Sequence, residues 1–176
     1  MVTGHPLLNI PIEVAGIALS ILGILQAAEF RRAIDRKTRM VFYAFFAFLA
    51  LDLSAMICVD AIGESLRGGA EYAGWLKLCY FCHYLFSPLM GCTATVYLFG
   101  LLGYARKGSF LWITFLSAAG VYFSLLVLTL FNGLYWTVDG AGVYRRGSGY
   151  WISILFSVLP LLLNMGSASG RAAEPS

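Results

Sequence analysis

Three groups of residues in this sequence are of types that do chemistry. The first is Cys79-Tyr80-Phe81-Cys82-His83, which reads C-x-x-C-H. That spacing attaches a c-type haem through two thiols, with the histidine as axial ligand. The second is a pair of aspartates, Asp52 and Asp60, set in the apolar stretch "MVFYAFFAFLALDLSAMICVDAIG". A carboxylate in such surroundings is either a ligand, proton or helix-coupling site or a hydrogen-bonded packing group. The third is "WTVDGAGVYRRGSGYW", which brings Asp139, Tyr144, Arg145, Arg146 and Trp151 together around a turn signal at Asp139-Gly140. Its arginines suit an anion, lipid head groups, or a salt bridge to Asp139 or Glu64.

The surroundings decide which of these chemistries is open. Of the 176 residues, 60% are hydrophobic, 15% aromatic and 12% charged. Soluble domains average about 45–50% apolar and about 25% charged residues. A soluble core of this size cannot hide so much apolar mass, so lipid is the expected solvent. The net charge of +3 is modest and unevenly placed, and it gives no reason to expect nucleic acid. Five apolar runs, at about 10–28, 40–63, 76–104, 110–131 and 150–165, approach the roughly 20 residues that cross about 30 Å of hydrocarbon. Backbone groups in lipid need internal partners, so each run is expected to be a helix.

The fold expected is therefore all-α: a polytopic membrane helix bundle of five transmembrane helices in one domain over residues 1–166. An outer loop at 132–149 and a disordered cytoplasmic tail at 167–176 complete it. Arg31, Arg32, Arg36, Lys37 and Arg39 in the first loop, Arg106 and Lys107 in the third and Arg171 in the tail outnumber Arg67, Lys77, Arg145 and Arg146. The excess of basic residues puts the first and third loops and the C-terminus in the cytoplasm and the N-terminus outside. Within the outer loop, 134–138 and 142–145 are expected to pair as a small hairpin.

On this frame Asp52 lies near the middle of the second helix. There a carboxylate costs a few kcal/mol and must face the bundle or carry a proton. Asp60 is about 80° round the same helix and near its outer end, where solvation is easy. His83 falls two turns into the third helix, roughly 10 Å deep at about 1.5 Å per residue. That is the level of Asp60 and Cys58, so a His83–Asp60 pair is within reach. Cys79 and Cys82 share a face inside an apolar run, with no second domain to enclose a porphyrin. Covalent haem is disfavoured, no cofactor is expected, and the thiols read as small packing groups. Zinc is disfavoured too, since this helix carries one histidine and no clustered carboxylate. Pro88 is expected to kink the third helix, with Gly91, Thr93 and Thr95 re-satisfying freed backbone groups or allowing close packing.

Taken in order, "DRKTRMVF", "LALDLS", "LCYF" and "YWTVDGAGVYRRGSGYW" resemble the seven-helix bacterial sensory membrane region found N-terminal to diguanylate cyclase (GGDEF) or histidine kinase output domains. The resemblance covers about residues 10–165 and is most specific in the outer loop. That family has an aspartate in the second helix, an aromatic pair in the third, and a loop of the form D-x-x-x-x-Y-x-R-G-P running into Tyr-Trp. Asp52, Tyr80-Phe81, Asp139, Tyr144, Arg146, Gly147, Tyr150 and Trp151 take those places here. Ser148 stands where the family has proline, and only the first five helices are present, without a catalytic output domain.

The resemblance implies a sensory, receptor-like input domain that is not itself an enzyme, multi-pass in a bacterial plasma (inner) membrane. Its partners would be the lipid bilayer, a small ligand on the outer side, and a signalling output domain or partner on the cytoplasmic side. A homodimer is left open, and no nucleic acid is expected. The 144–146 loop is expected to be a lid over an outer cavity lined by His83, Asp60 and Tyr84, with Asp52 and Pro88 as the places where helix packing responds. Two other functions are carried alongside. One is a redox membrane protein holding haem or quinone through Cys79, Cys82 and His83. The other is a small transporter or transporter fragment, which predicts a midplane site and inverted repeats; the sequence shows no internal repeat.

Overall fold

Asp35 sets where the longest helix begins. Its Oδ2 accepts the backbone N–H of Lys37 at 2.9 Å and of Thr38 at 3.1 Å, two donors that a helix start otherwise leaves orphaned. Hydrogen bonding from Thr38 above all holds this exposed carboxyl below the ordinary aspartate range. The computed structural model describes residues 6–30, 32–65, 72–101, 110–140, 142–156 and 158–159. Four long helices follow one another: α1 (Pro6–Glu29), α2 (Arg36–Ser65), α3 (Ala73–Leu101) and α4 (Phe110–Asn132). A two-stranded hairpin of β1 (Trp136–Val138) and β2 (Tyr144–Arg146) comes next. Residues 150–156 and 158–159 are helical again and form a short fifth segment.

Stretches of the four long helices, Asn9–Glu29, Arg36–Ile62, Ala73–Leu101 and Phe110–Asn132, are long and apolar enough to cross a bilayer. The protein is a mostly helical, multi-pass membrane bundle. Its first three helices begin earlier than their apolar runs: α2 takes in the basic Arg36–Arg39 turn because Asp35 caps it, and α3 starts at Ala73. The third loop, the end of the fifth apolar run and the 167–176 tail lie outside the described residues. Ile12, Leu19 and Leu25 on α1 and Ile113, Val121 and Phe131 on α4 are exposed, as apolar faces are when lipid is their solvent.

α2 packs along most of its length against α1 on one side and α3 on the other. The α1–α2 pair is antiparallel. Gly16 lies so close to Leu53, and Gly23 to the Phe46 ring, that an added Cβ would come within 2.6 Å of either side chain. Nearer the start of α1, Asn9 Nδ2 donates to Asp60 Oδ2 at 3.4 Å.

The tightest packing sits elsewhere, where α3, α4, the hairpin and the fifth segment meet. Leu76, Tyr122, Leu126, Tyr135, Trp136, Val138 and Phe156 are buried together there. Tyr122 stacks on Phe156 at 4.4 Å and on Tyr135 at 5.4 Å. Gly133, at φ +67°, ends α4 in the left-handed conformation and donates its N–H to Thr129 O at 2.9 Å. The chain then pairs Trp136 with Arg146, Thr137 with Arg145 and Val138 with Tyr144. Asp139 makes the turn: its backbone exchanges bonds with Gly142 and Val143, and its Oδ1 accepts Val143 N–H at 2.9 Å. β2 thus falls at 144–146, starting two residues and ending one residue later than the expected 142–145. The hairpin closes back onto the end of α4, with Gly147 N–H on Tyr135 O and Gly149 N–H on Leu134 O. A Cβ at Gly147 would overlap the carbonyls of Gly133 and Leu134.

Candidate functional site

The chemistry of the site starts from a proline. In a regular helix the carbonyl of Tyr84 would accept the N–H of residue 88, but Pro88 has none. The carbonyl is not left empty. Tyr122 of α4 donates its hydroxyl to Tyr84 O at 2.9 Å, so a side chain from the next helix completes the backbone of α3. α3 runs without a break from Ala73 to Leu101 through this point. Thr93 and Thr95 donate to Leu89 O and Gly91 O of their own helix.

One residue before Tyr84 stands His83. Its Nδ1 lies 2.8 Å from Oδ1 of Asp52, joining α3 to the middle of α2. The Asp52 side chain is 12% exposed and that of His83 31%. A carboxylate placed in apolar surroundings requires such a partner, and Nδ1 is the nitrogen that supplies it. This corrects the pairing anticipated with Asp60, whose Oδ2 accepts from Asn9 instead. With Nδ1 engaged, Nε2 is the ring nitrogen left for other work.

His83 is also a wall of a cavity of about 200 Å³. Tyr84, Ser87 and Pro88 of α3 continue that wall, Tyr122 comes from α4, and Tyr150, Ser153, Ile154 and Val158 come from the fifth segment. Tyr122 donates to Tyr84 O and so fixes the α4 wall to the α3 wall, while Ser153 donates to Tyr150 O at 2.7 Å within the fifth segment.

The hairpin does not line this cavity; it grips two of its walls. Tyr144 and Tyr84 share a hydroxyl–hydroxyl bond of 2.8 Å. Tyr144 also stacks on Tyr80 at 4.4 Å, while Trp136 lies 6.2 Å from the Tyr84 ring. The Arg146 guanidinium sits 4.5 Å above the centre of the Tyr150 ring, a cation–π contact. Arg145, its neighbour, meets Asp139 at 3.5 Å in an exposed ion pair.

The expected site residues therefore divide. Asp52, His83 and Tyr84 come together, and Tyr144 and Arg146 hold the walls from outside. Asp60 and Asp139 do not line the cavity. Trp151 is 73% exposed, set edge-on to Tyr150, and faces away from it. Tyr150 was named only through the family resemblance, and Tyr122 and Ser153 were not singled out by the sequence. Of those two, Tyr122 had a signal, the N–H that Pro88 lacks. Cys58, Cys79, Cys82 and Cys92 are all free thiols. Among the described residues no three His, Cys, Asp or Glu converge as metal ligands.

No protein-family model matches this sequence, and no curated protein or solved structure is significantly similar to it.

Proposed function

We propose that the chain is a membrane-embedded sensory domain of a bacterial signalling protein, in which a small ligand bound from outside changes how the helices pack. In this reading five helices cross the inner membrane. The hairpin faces outward, and the basic residues around Asp35 face the cytoplasm. The cavity carries the reading. Its walls come from α3, α4 and the fifth segment, so one occupant touches three helical elements and can favour one packing of them over another. Such a difference in affinity is the whole of what a ligand can transmit.

The size and lining name the class of ligand. A cavity of about 150 Å³ holds one benzene ring, and this one measures about 200 Å³ with three tyrosines and an imidazole around it. It suits a single ring bearing one polar group, received by Nε2 of His83. The hairpin then acts as a clamp through Tyr144–Tyr84 and Arg146–Tyr150.

Phenol is the probe. The chain contains two histidines, so isotopically labelled histidine in nanodiscs gives few, assignable signals. Phenol should shift the His83 resonances saturably, Ser153→Phe should abolish the shift by filling the cavity, and the distance between spin labels at Thr38 and Gly100 should change on binding. Unmoved His83 signals together with unchanged label distances would sink the reading. A quinone is a ring of the same size, and the tyrosine-lined cavity beside His83 favours a redox site as the second reading. A bound quinone whose potential depends on His83 would select it.

A further inference from the structure

Behind the Asp52–His83 pair stands an acid that nothing above uses. Glu13 of α1 is 8% exposed, and its Oε2 is buried with no hydrogen-bond partner among the described residues. The antiparallel register of α1 and α2 places it. Gly23 meets Phe46, Gly16 meets Leu53 and Asn9 meets Asp60, equal steps in opposite directions along the two helices. Glu13 consequently falls opposite Met56, one helical turn from Asp52 on one side and one from Asp60 on the other.

The charges that reach Glu13 are those of Asp60 and Asp52 on α2 and His83 on α3. Among the described residues no lysine or arginine joins them, and the imidazole is already held by Asp52 at 2.8 Å. An ionised Glu13 would be a desolvated charge with an unpartnered oxygen and two like charges a turn away. Groups so placed neutralise rather than stay charged. No three ligating side chains converge among the described residues, which leaves the smallest cation to do it.

We propose that Glu13 is a membrane-buried proton-binding site: its carboxyl carries a proton at neutral pH and is electrostatically linked to the Asp52–His83 pair. The linkage has a direction. Loss of the Glu13 proton adds a negative charge one helical turn from Asp52 and so changes the field at the pair. Proton release on α1 is thereby felt at the wall of the cavity on α3. This inference does not rest on the receptor reading, since it concerns an acid outside the cavity and needs no ligand.

The test is infrared spectroscopy of the full chain in nanodiscs, with and without isotopically labelled glutamate. A protonated-carboxyl C=O band should be present at neutral pH, move with the glutamate label, and vanish in Glu13→Gln. Asp52→Asn removes a like charge and should lower the pH at which the band titrates by about one unit, a tenfold change in proton affinity. The Asp52→Asn shift is a readout that a merely structural Glu13 would not give. Three results would each overturn the proposal: no glutamate-sensitive protonated band in the unaltered chain, a band that persists unchanged in Glu13→Gln, or a band that disappears when sodium replaces choline. The last would mean that the site takes sodium instead. Should Glu13→Gln fail to fold, the labelled, unaltered chain still decides through the presence or absence of the band.

Discussion

The α1–α2–α3 layer and the hairpin end of the molecule are held together by opposite means. In the layer, long apolar helices lie side by side with small residues at the contacts, and the side-chain hydrogen bonds between them among the described residues are two: Asn9 to Asp60 and Asp52 to His83. At the hairpin end, aromatic rings stack in a buried cluster and backbone groups are stitched across the α4–β1 corner. Lipid tails are as apolar as leucine, so the layer gains little from hiding apolar surface and must rely on fit and a few polar bonds. The hairpin end keeps a packed core that single substitutions can break.

If that contrast is right, the largest effect belongs to the hairpin end. Gly147→Ala forces a Cβ into the carbonyls of Gly133 and Leu134. It should cost about 3 kcal/mol or more, because backbone cannot step aside as a side chain can. Thermal unfolding in nanodiscs would measure this, with Trp136 fluorescence reporting a hairpin that has come away. Equal stability would mean that the corner is not packed as described.

Next comes the polar bond of the layer. Asp52→Ala should cost about 2 kcal/mol, less than breaking a fully buried ion pair because the His83 side chain is part-exposed. A double-mutant cycle with His83→Ala should return a coupling of about 1 kcal/mol. Zero coupling would remove the pair as a link between α2 and α3.

A smaller effect sharpens the boundary between the two regions. Tyr122→Phe leaves the Tyr84 carbonyl without a donor and should cost about 1 kcal/mol. In a Pro88→Ala background the helix supplies its own N–H, and the same Tyr122→Phe change should then cost close to nothing. An undiminished cost there would show that the hydroxyl matters for another reason.

The smallest effect lies at the far end of the layer. The Asp35 carboxyl is held below its ordinary range. Its contribution to stability is therefore complete above the unfolded aspartate range and is lost as pH falls through the lower folded value. Asp35→Asn keeps an N-capping side chain and should remove that acid-side loss without changing stability at neutral pH. Denaturation midpoints of the two chains across the acid range would compare them.

Much of this architecture is legible from residues alone, and the misreadings have physical causes. The four long spans follow from hydropathy, and the hairpin follows from Asp139-Gly140. His83 was expected beside Asp60 because depth was counted from the first apolar residue of the third run. α3 begins at Ala73 instead, which accounts for about 4.5 Å of the roughly 12 Å between the levels of Asp60 and Asp52, and the relative register of α2 and α3 supplies the rest. The start of α2 was set too late for a similar reason: Asp35 caps a basic turn that hydropathy reads as loop. The cavity was less accessible to reasoning. Tyr122, Tyr150 and Ser153 belong to apolar runs, and only the packing of α4 and the fifth segment makes them neighbours of His83. Glu13 was not singled out from the sequence, because its setting depends on the α1–α2 register.

The bond between Tyr122 and the Tyr84 carbonyl also imposes an order on the making of the protein. Its two partners lie 38 residues apart in the chain. When α3 first emerges from the ribosome and meets lipid, Pro88 has already removed the donor for that carbonyl, and the hydroxyl that will replace it has not yet entered the membrane. An unsatisfied backbone group in hydrocarbon costs several kcal/mol. α1 and α2 can settle as a pair on arrival, whereas α3 is complete only when α4 comes to stand beside it.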